Sequence, residues 1–226
     1  MKIALYGHPF SSYTWKGLIP LYANDTPFEF REVGPTAGAD INGFVQSAHP
    51  AGKFPVLRDG ETTVIEATSI IEYLAVHHPG PAPLIPADPA EAIIARMLDR
   101  VFDNYVMGSA QRVVSAYLSF TGPGGTPVVD EPDMAEVEAG KASLRRAYAW
   151  LERWLGENAL PPHVSLVTCA AAPSLFYADW VERIPSDCPR LAQLRAELLS
   201  LPPVARCVDD ARPYRPYFPL GAPDRD

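Results

Sequence analysis

Two hydrophobic periods run along this chain, and the changeover falls near residue 80. Before it, short runs with strand character alternate with helical stripes. Lys2–Gly7 (KIALYG) is an apolar run closed by Pro9 and predicts a first strand. From Thr14 to Ala23, the apolar positions Trp15, Leu18, Ile19, Leu21 and Tyr22 predict a helix, with Pro20 expected to bend or weaken its final turn. Phe28–Val33 (FEFREV) alternates as a half-buried strand does. Strand, helix and strand within about 35 residues make a βαβ unit with parallel strands. Pro35–Pro50, rich in Gly and Ala, predicts a short, loosely ordered helix. Val56-Leu57 and Thr63–Ile65 flank the hairpin signal Asp59-Gly60. Glu66 then leads into a helix whose buried stripe is Ile70, Ile71 and Leu74.

The second period begins after the proline-rich segment HPGPAPLIP (78–86), which reads as a linker. Pro89 can occupy the first turn of a long helix running through Ile93, Met97, Val101 and Tyr105 to about Phe120. TGPGGTP (121–127) predicts a flexible turn. A second long helix starts near Asp133 and carries Val137, Leu144, Tyr148, Leu151 and Leu155. A third follows Ser165, with Pro173 expected to kink it, and Thr168 stands where a capping box wants its fourth residue. Shorter helices are expected at Pro189–Ser200 and Val204–Ala211, before the tail RPYRPYFPLG. Residues 1–78 thus have the β-α-β-α-β-β-α order of a thioredoxin-like domain, and residues 87–226 read as an all-α domain.

Composition narrows the function more than the fold. With 47% apolar and 20% charged residues, the 226-residue chain is globular. A net charge of −8 argues against a nucleic-acid partner, which would need clustered Lys and Arg. No segment approaches the roughly 20 apolar residues of a membrane span. The apolar run of MKIALYGHPF is too short for a signal peptide. Three widely spaced cysteines without a CxxC, Cys169, Cys188 and Cys207, fit buried thiols in a reducing compartment, so a cytoplasmic location is expected. His49, His77 and His78 lack Cys or carboxylate partners at ligand spacing, and no metal site is expected.

The candidate chemistry lies in two stretches. GKFPVLRDGETTVIEATSIIEYL (52–74) puts a basic residue and a proline before one strand, and an acid at the end of the next where a helix begins. A helix N-terminus offers free N–H groups and a positive dipole end to a carboxylate. Read on its own, the stretch is equally a plain hairpin capped by a helix. GHPFSSYTWK (7–16) joins the first strand to the first helix, and on its own Ser11 or Ser12 is a helix cap.

Taken together, Lys-x-Pro-Val-Leu, Asp-Gly, Glu and Ile-x-x-Tyr-Leu resemble the glutathione-binding region of cytosolic glutathione S-transferases. The segment 7–16 is similar to that of the serine-type members. Gly7, His8, Pro9, Ser11 and Lys16 match the phi-like form, and Ser11-Ser12-Tyr13-Thr14-Trp15-Lys16 the zeta-like form. The resemblance spans the chain and implies the glutathione transferase fold, an α/β thioredoxin-like domain followed by an all-α domain. It implies a cis Pro55, backbone pairing to glutathione at Phe54, Lys53 for the glycyl carboxylate, and Glu66 for the γ-glutamyl ammonium. Where the family has Ser after this Glu, the chain has Ala67, which keeps the backbone N–H but loses a hydroxyl worth about 1.5–3 kcal/mol to a charged ligand group.

Ser11 is the first candidate to stabilise the glutathione thiolate, with Ser12 and Tyr13 as rivals. Glutathione is the implied co-substrate and a small electrophilic or hydrophobic molecule the second substrate, its pocket expected to involve Tyr105, Met107, Arg112 and Tyr117. A homodimer is implied by the family alone. Two other outcomes remain open on the sequence: a non-enzymatic binding module built on the same fold, and a zeta-like glutathione-dependent cis–trans isomerase. Asp99, Asp103 and Asn104, on one face of the long helix, read as a polar stripe.

Overall fold

The computed structural model describes residues 3–118 in full, the backbone of 119 and 120, and residues 132–225. Lys2 and the turn expected over 121–127 lie outside the described residues. Strand β1 (Ile3–Gly7) is buried along its whole length because it is central. It pairs parallel with β2 (Phe28–Glu32) and antiparallel with β3 (Val56–Asp59), which pairs antiparallel with β4 (Thr62–Ile65). The sheet order is β2-β1-β3-β4. Alternation across the pleat serves two cores. Ile3, Leu5 and Leu57 face α1 (Ser12–Ala23) and α3 (Ala67–His77), meeting Trp15, Ile19, Ile70 and Ile71. Ala4, Tyr6 and Val56 face α2 (Ala39–Ala48) through Val45 and Phe44. The α2 segment is a regular ten-residue helix, clasped to the loop before it by Asn42, which both accepts from and donates to Gly34.

The segment after α3 is pinned rather than loose. Asn24 Nδ2 donates to the Ala82 carbonyl (3.2 Å), and the Ala82 N–H donates to Asn24 Oδ1 (2.9 Å). The long helix expected from Pro89 has three parts. Helix α4 (Pro89–Arg100), capped by Asp88, runs into a π-helical segment, Val101–Met107, which continues as α5 (Gly108–Phe120). Helix α6 (Met134–Glu157) packs on α5. Helix α7 (Leu166–Val181) is the axis of this region, and all sixteen of its residues are buried, as a helix apolar on every side requires. Its entry is fixed by Thr168 Oγ1, which accepts the Ser165 N–H at 3.2 Å. Helices α8 (Pro189–Ser200) and α9 (Pro202–Ala211) follow, then a 3₁₀ turn over Arg212–Tyr217.

The sheet layer and the helical region are joined through α1. Trp15 is fully buried against Phe176 and Tyr177 of α7, with ring centroids 4.9 and 5.5 Å apart, and its indole N–H donates to the Pro9 carbonyl. Tyr177 Oη in turn donates to the Phe10 carbonyl at 3.0 Å, so α7 holds the loop that precedes Ser11. The result is a thioredoxin-like sheet layer followed by a helical region.

Candidate functional site

The strand register gathers the candidate residues at one edge of the sheet. Because β3 runs antiparallel to both neighbours, its N-terminal end meets the C-terminal ends of β1 and β4. Tyr6 pairs with Val56 and Val56 with Ile65, and one further step sets Pro55 between Gly7 and Glu66. The Phe54–Pro55 peptide bond is cis. Gly7 lets strand and helix close up, since a Cβ there would stand 2.6 Å from the Thr14 side chain.

Ser11 caps α1, and its Oγ accepts the Thr14 N–H at 3.2 Å. The capping and functional readings of this residue are compatible. An oxygen that accepts for the cap keeps its own hydrogen, which it can donate to an anion above the helix N-terminus. Ser11, Ser12, Tyr13 and Phe54 all line a cleft of about 290 Å³ between the sheet edge and the helical region. Burial, then the charges of Asp103 and Glu66, push the Tyr13 phenol up to about 12, so Tyr13 is also a protonated donor. The far wall of the cleft is apolar: Met107, Ala110, Val114 and Leu118 from the π segment and α5, with Phe218 beyond.

Glu66 and Ala67 form the opposite shoulder. Glu66 holds a left-handed backbone, φ 66°, and its side chain is 70% exposed. Ala67, the first residue of α3, is buried, and no side chain caps this helix. Lys53 is exposed beside them. A partner of Glu66 escaped the sequence reading. His49 Nδ1 accepts the Ala51 N–H, which leaves Nε2–H to donate to Glu66 Oε1 at 3.3 Å. His78 likewise meets Asp59, 2.7 Å away. Both histidines thus have carboxylate partners, reached through the fold across 17 and 19 residues rather than at ligand spacing. Among the described residues, no three potential metal ligands come together.

Behind the shoulder lies a buried ionic cluster. Lys16 Nζ bonds Asp99 Oδ1 and Asp103 Oδ2, both at 2.7 Å, and Thr68 Oγ1 at 3.0 Å. Arg100 adds a second cation, bonded to Asp99 and, at 2.5 Å, to Thr68 Oγ1. The polar stripe of the long helix is therefore an internal seam for Asp99 and Asp103, while Asn104 is exposed. Burial raises the Asp103 carboxyl, with Lys16 opposing. His8 belongs to the turn: its Nδ1 accepts the Phe10 N–H, and its ring packs on Tyr214.

Of the residues expected at the acceptor pocket, Met107 lines the cleft. Tyr105 does not. It is 61% exposed and lines a separate groove with Trp150. Arg112 pairs with Glu136 at the surface, and Tyr117 packs on the core. Gln111, Val114 and Leu118 stand in the cleft instead, because the π segment shifts the phase of the helix before α5 begins.

Residues 5–82 match the glutathione S-transferase N-terminal domain family. A glutathione S-transferase of Silene vulgaris is 35% identical over 78 residues, which is 34% of this chain and 36% of that one. The chain therefore aligns with only about a third of that relative's length. A probable maleylacetoacetate isomerase of Vibrio cholerae is 27% identical over 94% of this chain and 98% of its own. A Methylobacterium radiotolerans glutathione S-transferase, solved in complex with glutathione sulfonate, superposes with a TM-score of 0.72 at 23% identity, covering 92% of this chain and 95% of that one. The sheet edge and the cleft stand on the framework these proteins share: residues 5–82 match the glutathione S-transferase N-terminal domain, and the fold as a whole is that of glutathione S-transferase structures.

Proposed function

We propose that the chain is a glutathione transferase that stabilises the glutathione thiolate for attack on a small electrophile. The observation that carries this reading is the convergence of Ser11, the Phe54–Pro55 turn and the open N-terminus of α3 on one sheet edge facing an apolar cleft. Glutathione lies along that edge, with Lys53 toward the glycyl carboxylate, the Phe54 backbone on the cysteinyl unit, and Glu66 with the Ala67 N–H on the γ-glutamyl end. Its sulfur then sits over the start of α1. A free thiol is mostly protonated at neutral pH, with a pKa of about 8.5. The Ser11 hydroxyl and the dipole of α1 favour the thiolate. The sulfur attacks the electrophilic carbon, and the leaving group or electron pair departs into the cleft held by Met107, Val114 and Leu118.

The Vibrio relative raises isomerisation of an unsaturated diacid as a second reading. Such a substrate wants cations in the acceptor half, and no Arg or Lys is among the described residues that line the cleft, which favours transfer to an apolar electrophile. A non-enzymatic module is the weaker reading, since the donors needed for chemistry face the cleft. A homodimer is supported by the exposed Val76 and Ile93, 72% and 65% accessible, beside the Glu72–Arg96 pair that joins α3 to α4. The three buried free thiols support a cytoplasmic setting, and reaction with electrophiles supports a detoxifying role.

The test is the ultraviolet absorbance of the thiolate of bound glutathione as a function of pH. Ser11→Ala should raise the pKa of the bound thiol by about one unit, roughly 1.4 kcal/mol, with Tyr13→Phe leaving it unchanged. The reverse pattern would assign the donor role to Tyr13.

A further inference from the structure

The last turn of α7 ties two otherwise separate parts of the cleft to one template. Tyr177 Oη bonds the Phe10 carbonyl and so fixes the loop before Ser11. Three residues on, the ring of Trp180 packs on both that loop and the tail, its centroid 6.3 Å from Phe10 and 5.2 Å from Phe218. The tail that follows α9 is fastened at two places. At the front, Tyr214 Oη donates to Glu32 Oε1 at 2.6 Å and its ring packs on His8. At the back, Arg225 folds onto the end of α7. Its Nε donates to Asp179 Oδ2 at 2.9 Å and its Nη2 to the Asp179 carbonyl at 2.6 Å, while Trp180 Nε1 donates to the Arg225 carbonyl at 3.2 Å. Carbonyls in the last turn of a helix run short of intrahelical donors, and a cation there meets the negative end of the dipole. Between the two fastenings Tyr217, Phe218 and Pro219 line the cleft, with Phe218 buried.

We infer that Arg225 is a positioning residue for the acceptor: by latching the tail to Asp179 it sets Phe218 and Pro219 as a wall of the cleft, and so decides how firmly the apolar part of an acceptor is held. The inference rests on the transferase reading. A wall on a latched tail is in place before the acceptor arrives, so its contact is made without the cost of ordering the tail on binding. The latch lies outside the glutathione edge, since no bond of Ser11 or Glu66 runs through Arg225 or Asp179. The acceptor carbon bonded to sulfur stays over Ser11, and the remainder of an apolar group reaches the tail. Loosening the latch therefore weakens long acceptors and spares both glutathione and short ones.

The test is calorimetric titration of the full chain with glutathione, S-methylglutathione and S-hexylglutathione, whose alkyl groups stand for the acceptor half of the product. A methylene taken out of water is worth about fourfold in affinity, so exposing two of them corresponds to about tenfold. Arg225→Gln should weaken S-hexylglutathione by that amount and leave the other two ligands unchanged. Arg225→Lys, which keeps the charge for Asp179 without the fork, should fall between. Tyr214→Phe opens only the front fastening and should weaken S-hexylglutathione by about threefold. Arg225→Gln leaves Asp179 with the Ile184 N–H and with Arg195 at 3.8 Å, so the end of α7 keeps its partners. Equal losses on all three ligands would make the latch a support of the fold alone, and unchanged binding of S-hexylglutathione would leave the tail without a part in holding the acceptor. Either result overturns this assignment while the transferase reading stands. A native chain that binds none of the three would overturn both.

Discussion

The two ends of α3 are built on opposite plans. At its C-terminal end the polar side chains are tied together: His78 and Tyr73 both bond Asp59, at 2.7 and 3.0 Å, and the Tyr73 ring packs on His77. At its N-terminal end Glu66 sits in a left-handed backbone, no side chain caps the helix, and the buried charges behind Thr68 leave Asp103 Oδ1 unmatched. One helix shows both a finished terminus and an unfinished one. Strain and unmatched groups persist in a native structure where they are held for another purpose, and here they share the sheet edge with Ser11 and Pro55.

The contrast can be broken most forcefully at Lys16. Lys16→Ala would leave Asp99, which is inaccessible to solvent, with only Thr68 and the half-exposed Arg100, and should cost about 3–5 kcal/mol in chemical denaturation. A smaller effect of opposite signs is expected at Glu66. Glu66→Gly relieves the left-handed backbone and should raise stability by about 1 kcal/mol, while glutathione affinity falls about tenfold; gain in both would remove Glu66 from the site. The closed end supplies the control. The His78 hydrogen bond holds the Asp59 carboxyl below its ordinary value, burial opposes, and Tyr73 lowers it further. A lowered folded-state value stabilises fully above the ordinary carboxylate range and fades as pH falls through that folded value. Asp59→Asn should therefore cost about 1 kcal/mol near neutral pH, and the gap to the native chain should close as acid carries the pH down through the lowered folded-state value. Glutathione binding should be untouched. Smallest is Thr168→Ala at the start of α7, expected to cost about 0.5–1 kcal/mol in thermal unfolding with no change in the thiol pKa.

The sheet layer was legible because its signals are local. Alternation in FEFREV, the Asp59-Gly60 turn and the stripe Ile70-Ile71-Leu74 each lie within a few residues, and β2, the β3–β4 hairpin and α3 stand where those patterns put them. The π segment at 101–107 left no such mark. Val101, Val106 and Met107 are apolar in either winding, so the stripe was extended at α-helical spacing and turned Tyr105 and Arg112 inward, where the structure turns them out. The ionic seam was illegible for a different reason. Lys16 lies 83 and 87 residues from its two carboxylates, and no periodicity relates residues that far apart. Ser11, Lys53, Pro55 and Glu66 were singled out by motif, and their gathering at one edge follows from a strand register that the motif itself does not specify.

The manner in which α1 is shared has a consequence for how the molecule comes apart. Trp15 and Lys16 are adjacent in sequence and both fully buried, one against aromatic rings of α7 and the other between carboxylates of the α4 and π segments, while Asn24 at the far end of the same helix grips the strap that leaves α3. A chain cut after His78 would carry an indole and an ammonium ion with their surroundings removed. The sheet layer is therefore no excisable module: the protein should melt in a single cooperative transition, and a gene fragment ending at the strap should yield aggregate rather than a folded half.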